Sequence, residues 1–256
     1  MYKYNLGILL CLCLCLSCNT IKKNQDSINS IGDVQLKSVM QHVFAAMGGL
    51  SNWETKKSIH FDKKTELYLA SGAIEKATFQ KHDYYNQPAT KVEISWKENG
   101  VGHLLRFEDG KAEKQLNGKI DSSANSMALK NSIMASTFVI GIPFKLLDEG
   151  TALSYEGIQT MANGKRVHAV KAIYNAADYS NHTKSDIWWH YFDEQSYQQL
   201  GYKVQLADHT SYVENLTFER VGGFLFTTTR KSWRLDEDGN KLYLRAAYEY
   251  ANFEVR

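Results

Sequence analysis

The chain of 256 residues balances 30 basic against 28 acidic side chains, for a formal net charge of +2. A balance so near neutral lacks the basic face that nucleic acid requires, and no nucleic-acid partner is expected. All four cysteines (Cys11, Cys13, Cys15 and Cys18) fall within residues 1–18, so no disulfide or thiol chemistry is expected of the remainder.

Lys3 precedes an apolar run over residues 6–16 that ends at Ser17-Cys18. At about 1.5 Å per residue this run is too short to cross a hydrocarbon core of about 30 Å, and it reads as an export signal. Its end, LCLSC, resembles the lipobox of bacterial lipoproteins, with Cys15 where leucine is usual. That resemblance implies a signal peptide over residues 1–17, cleavage before Cys18 and lipidation of Cys18. The Cys-x-Cys spacing inside an apolar run reads as hydrophobic filler rather than a metal site. Residues 18–32 are then the lipidated cysteine and a polar tether. As a flexible coil the tether spans on the order of 20 Å, and fully extended no more than about 50 Å. Asn19 is not the aspartate associated in some Gram-negative bacteria with inner-membrane retention, which favours an outer-membrane anchor with the domain facing the periplasm.

Residues 33–53 carry the one plain helical pattern. Leu36, Val39, Met40, Val43, Phe44, Met47 and Leu50 recur at i, i+3, i+4, i+7 spacing, with Lys37, Ser38, Gln41 and His42 on the other side. Asp33 suits the N-cap and Gly48-Gly49 the positive-φ stop.

After Trp53 the period changes to two. Ile59 and Phe61, Leu67 and Leu69, then Val92, Ile94 and Trp96 alternate with polar neighbours. Asn99-Gly100, Asp109-Gly110, Asn117-Gly118, Asn163-Gly164, Gly222-Gly223 and Asp238-Gly239 mark hairpins, so the sheet is antiparallel. The gaps hold no crossover helices of the length a parallel βαβ core needs. Residues 123–139 break the meander with Met127, Met134 and Phe138 at helical intervals, and Pro143 closes the helix by favouring extended geometry at Ile142. Two roles fit this segment: a plug at one end of the sheet, or a movable lid over an apolar cavity.

Strands resume after Thr151, at residues 167–174, 185–192, 201–206, 212–220, 224–234 and 241–255. In the most apolar of them Trp188, His190 and Phe192 share one face while Ile187, Trp189 and Tyr191 share the other. Its second face is therefore expected to lie under a helix, another sheet or a ligand. Aromatics exceed what one sheet needs to pack one helix, notably Trp96, Phe107, Trp188, Trp189, Phe192, Tyr202, Phe218, Phe224, Phe226, Trp233, Tyr248 and Tyr250. Core packing accounts for any one of them, and as a group they suit the lining of a concave pocket.

Signal with lipobox, polar tether, amphipathic helix ending Gly48-Gly49-x-x-x-Trp53, the strand SIHF, a central Pro143-Phe144 and a tail of antiparallel strands together resemble a family of bacterial envelope lipoproteins. The architecture of that family is similar to the lipoprotein-localisation factors LolA and LolB. The segment of Tyr191, Phe192, Asp193, Glu194, Gln195, Ser196 and Tyr197, followed by Gly201-Tyr202, is similar to their mid-sheet strand-turn-strand. The resemblance implies a mainly β (α+β) fold over residues 33–256: a single curved antiparallel sheet forming an incomplete barrel around the N-terminal amphipathic helix and the second, mid-chain helix. It also implies an acyl chain or lipoprotein as ligand, and it carries no catalytic residue.

Chemistry has little support in the sequence. The eight histidines form no His-x-His or HExxH, and neither a Gly-x-Ser-x-Gly elbow nor a phosphate loop occurs. Asp186 and His190 lie about 13 Å apart along one strand face, too far to share a proton. His168, beside Val167 and Val170, reads as a satisfied sheet histidine. Residues 236–240 read as a hairpin turn rather than a calcium loop. The expectation is a monomeric, lipid-anchored envelope protein without metal or cofactor that binds an apolar ligand non-catalytically through Val43, Phe44, Met47, Trp96, Met134, Phe138, Phe144, Trp188, Phe192 and Tyr202. The alternatives are an envelope hydrolase with a polar cleft and an adaptor lipoprotein that binds a protein partner. A cavity between Val43, Phe44, Met47 and the aromatic sheet face would favour a carrier; close packing there would favour a scaffold.

Overall fold

The computed structural model describes residues 28–86, 89–174 and 186–256. The signal peptide, Cys18 and residues 19–27 of the tether lie outside the described residues. Helix α1 (Val34–Met47) begins where Asp33 Oδ1 accepts the N–H groups of Gln35 at 2.8 Å and Leu36 at 3.0 Å, which satisfies two orphan donors of the first turn. It ends at Gly48, with φ 125°. A Cβ there would stand 2.7 Å from Phe224 Cδ1 and 2.9 Å from the Gly223 carbonyl. Glycine thus serves both the left-handed turn and the close approach of a hairpin. The chain restarts at once as a short helix, α2 (Leu50–Thr55), which the stop signal did not foretell and which carries Trp53.

The sheet that follows has thirteen strands among the described residues. The first half holds β1 (Ser58–Tyr68), β2 (Ile74–Tyr85), β3 (Lys91–Glu98), β4 (Val101–Glu108), β5 (Lys111–Leu116) and β6 (Lys119–Ile120). The second holds β7 (Thr151–Thr160), β8 (Arg166–Tyr174), β9 (Ile187–Asp193), β10 (Gln199–Gln205), β11 (Thr210–Val221), β12 (Phe224–Leu235) and β13 (Lys241–Val255). Asn99-Gly100, Asp109-Gly110, Asn117-Gly118 and Gly222-Gly223 take positive φ at both residues, as tight hairpins of type I′ require. Every neighbouring pair is antiparallel, in the order β6-β5-β4-β3-β2-β1-β13-β12-β11-β10-β9-β8-β7. The barrel is incomplete, because β6 and β7 end the sheet without pairing with each other.

This order decides where the second helix lies. β1 and β13 meet mid-sheet, so the link from β6 to β7 joins the two opposite edges and crosses the inner side. It does so as α3 (Ser126–Gly141), capped by Asn125, and a 3-10 turn (Phe144–Leu147). Ile142 is extended at φ −64°, ψ 136°, as Pro143 demands.

The stripe of α1 is buried along its whole length, with Met40 and Val43 fully enclosed. Each such side chain contributes about 1.5–3 kcal/mol. Phe144 is central to this end of the core. Its ring stacks on Trp53 at 4.6 Å and on Phe44 at 5.9 Å, and meets Phe224 edge-on at 6.0 Å.

Trp188, His190 and Phe192 face inward from β9, and the opposite face is only half-buried. Among the described residues that face is flanked by neighbours on the same outer surface rather than by a helix or a second sheet. Lys203 and Lys171 place Nζ 4.1 Å and 5.8 Å from the Trp189 ring, and Tyr191 meets Tyr212 edge-on at 6.2 Å. Lysine stems lie along apolar surface while their heads stay in water. These partners sit on β8, β10 and β11, so the pattern of one strand cannot reveal them.

Candidate ligand-binding cavity

Beneath α3 the inner face of the sheet is not filled. A cavity of about 270 Å³ is lined by Phe61 and Lys63 of β1, Gln80, His82 and Tyr84 of β2, Ile94 of β3, Leu105 of β4, Tyr202 of β10, Arg230 of β12, Tyr248 and Tyr250 of β13, and Ser132, Ala135, Ser136, Val139 and Ile140 of α3. Ser132 and Ala135 are exposed and Lys63, Gln80 and Tyr248 half-buried, so the mouth lies between the middle of α3 and this part of β1, β2 and β13. Phe61, His82, Tyr84, Ile94, Tyr202, Arg230 and Tyr250 are buried and form the floor. Burial raises the pKa of the Tyr84 and Tyr202 hydroxyls and pushes that of Tyr248 up to about 12, so the aromatic wall carries no charge.

A polar relay ties the floor to the helix. Ser136 Oγ donates to the Ile133 carbonyl at 2.7 Å, and Tyr84 donates to Ser136 Oγ at 3.0 Å. The single proton of the Tyr84 hydroxyl is thereby used, so its 3.0 Å contact with His82 Nδ1 requires an N–H at that nitrogen. Desolvation by burial, and then the charge of Lys63, lower the His82 pKa to about 3. His82 is therefore a neutral imidazole stacked 4.7 Å from Phe61, with Nε2 bare and buried.

Arg230 is the unusual floor residue. It is only 5% exposed, its guanidinium carbon lies 5.1 Å from the Tyr250 ring, and its two terminal nitrogens share one acceptor, the Val139 carbonyl, at 3.3 Å each. That carbonyl belongs to the last turn of α3, where orphan acceptors face outward along the axis.

The residues singled out from sequence divide into two groups. Tyr202 stands on the cavity wall. Trp188 lies 5.2 Å from the Tyr202 ring and Phe138 meets Trp188 edge-on at 5.5 Å, so both sit directly behind that wall. Val43, Phe44, Met47, Phe144 and Phe192 are packed core residues that do not reach the cavity. Trp96 stacks on His103 at 4.7 Å beyond Ile94, and Met134 packs against the core from α3. The space beneath α1 is thus closely packed by Phe44, Trp53, Phe144 and Phe224, the outcome that favours a scaffold at that place, and the open volume on which a carrier reading can rest lies beneath α3 instead.

Sequence reading did not single out Lys63, His82 or Arg230. The available signal was a charge in step with an apolar face: Lys63 stands at even spacing after Ile59 and Phe61, and Arg230 at even spacing after Phe224 and Phe226. A wider depression of about 410 Å³ lies between residues 30–33, Leu36 and residues 146–153, but it is mainly polar and has no aromatic lining.

One polar cluster has the connectivity of a nucleophile, base and acid. His60 Nδ1 lies 2.6 Å from Asp83 Oδ1, and Nε2 lies 2.9 Å from Ser58 Oγ. The alternation of β1 puts Ser58 and His60 on the face opposite Phe61, away from the cavity, and Asp83 is the cross-strand partner of His60. Ser58 is 5% exposed and its N–H is bonded to the Arg256 carbonyl at 3.0 Å, so it cannot double as an oxyanion donor. The cluster links β1 to β2. His168, in turn, pairs with the Tyr155 hydroxyl at 2.8 Å and stacks on Tyr197 at 5.2 Å.

No protein-family model matches the chain, and no curated protein matches it in sequence. Solved structures do match in fold. A LolA superfamily protein from Nitrosomonas europaea aligns at TM-score 0.54 and 6% identity over 86% of this chain and 93% of that one. An outer membrane lipoprotein-sorting protein domain from Vibrio parahaemolyticus aligns at TM-score 0.53 and 10% identity over 86% and 91%. A DUF1329 family protein from Desulfovibrio piger aligns at TM-score 0.54 and 10% identity over 84% and 92%. The architecture is therefore LolA/LolB-like: an open antiparallel sheet that curls around helices.

Proposed function

We propose that this is a lipid-anchored envelope protein whose residues 33–256 hold an apolar ligand, an acyl chain or part of a lipoprotein, without chemical conversion. The observation that carries this reading is the cavity beneath α3, walled by Phe61, Ile94, Leu105, Ile140 and four tyrosines. Small-molecule sites are concave, largely apolar, and about 300–1,000 Å³ in volume. At about 270 Å³ this one suits a single short chain, and a multiply acylated anchor requires α3 to move outward. Cys18 supplies the membrane attachment, the tether keeps the domain near an outer membrane on its periplasmic side, and the protein acts as a monomer. The lipoprotein-sorting domain with the same fold supports this reading as an analogy.

The direct test is extraction of the anchored protein followed by mass spectrometry of what accompanies it. One acyl-bearing molecule in stoichiometric amount is expected. Protein that elutes free of lipid, and that fails to take up a fluorescent fatty acid when offered one, would overturn the reading.

A further inference from the structure

The cavity is apolar in its walls but not neutral in charge. Among its described lining residues stand two basic side chains, Lys63 and Arg230, and no aspartate or glutamate. Neither base makes an ion pair with a described residue. Lys63 Nζ lies over aromatic rings, 5.2 Å from Tyr248 and 6.0 Å from Tyr250. Arg230 is the stronger case. Its guanidinium has five N–H donors and stays protonated inside proteins. Here the two terminal nitrogens share one carbonyl, while Nε is buried with no acceptor among the described residues. A buried charge so poorly compensated is destabilising unless something completes it. The aromatic face beside it, the Tyr250 ring, supplies a cation–π contact but no counter-charge.

We infer that the ligand is a single-chain amphiphile with an anionic head, whose carboxylate or phosphate pairs with Arg230 and Lys63 while its tail lies against Phe61, Ile94 and Leu105. This rests on the carrier reading and adds the head group to it. A planar guanidinium takes two oxygens of such a head side by side, and Lys63, half-buried at the mouth, contributes a second charge. Because Arg230 already holds the last turn of α3 through Val139, the head competes with that carbonyl for the same donors.

Calorimetric titration of the full chain carrying Cys18→Ala with decanoate, decyl phosphate, decanol and decylamine at neutral pH tests the head and the tail separately. Decanoate or decyl phosphate is expected to bind at least about tenfold tighter than decanol, a difference of about 1.4 kcal/mol, and decylamine weaker than decanol. Whichever anion binds tighter identifies the head. Arg230→Met should erase the preference while decanol still binds. Lys63→Met, a partly exposed position where folding is not at risk, should narrow the preference and its salt dependence. Equal affinity for decanoate, decyl phosphate and decanol would overturn the anionic head and leave the carrier intact. Failure of all four to bind would overturn both.

Discussion

His82 shows how one buried side chain sets the pH response of the site. Its pKa falls from 6.5 to about 3 on folding, through burial first and Lys63 second. Between those values the unfolded chain binds a proton that the native chain cannot, so stability rises with pH across this window and falls as the medium is acidified from 6.5 towards 3. The slope approaches about 1.4 kcal/mol per pH unit for this group alone. Urea denaturation at pH 7.5 and pH 5 should show the parent chain losing stability that His82→Phe retains, since phenylalanine keeps the stack on Phe61 without titrating. Equal losses in parent and variant would exclude His82 as the source.

Helix α3 is the element on which both the cavity and its access depend. Its polar ties to the sheet are few and specific: Ser136 to Tyr84, the Val139 carbonyl to Arg230, and Ser126 Oγ donating to the Ala112 carbonyl at 3.0 Å. Replacing Ser136 by alanine leaves the Tyr84 hydroxyl, buried at the cavity floor, without its acceptor. The expected cost is about 1–3 kcal/mol in chemical denaturation. Hydrogen exchange should localise the loss to α3 and β2 rather than to α1. Sequence reading recognised α3 from its methionines and the Pro143 stop, and left open whether it plugs or covers. The periodicity of a helix says what it buries, but not across which strands it lies.

At the scale of the whole molecule, the pairing of β1 with β13 makes the two halves of the chain one sheet and leaves its edges to β6 and β7. None of the helices among the described residues is long and apolar enough to cross a membrane. The lipid on Cys18 is the proposed anchor. Cys18→Ala should release the protein into the soluble fraction when cells are fractionated; continued sedimentation with membranes would refute a single anchor.

The sequence by itself determined the elements whose signals are local. Asp33 and Gly48 bounded α1, the Asn-Gly and Asp-Gly pairs placed hairpins, and period-two alternation assigned Val92 and Ile94 to the inner face and set Trp188 and Phe192 together on one face of their strand. These follow from backbone sterics and from burial of one face, which act within a few residues. Only the tertiary structure decided that Val43, Phe44 and Met47 share one packed core with Phe144 and Trp53, while Lys63, His82, Tyr84 and Arg230 surround an open volume. Those four belong to β1, β2 and β12, and they converge because β13 lies between β1 and β12 in the sheet order. A cavity is the volume that side chains distant in sequence fail to fill, and no local pattern records it.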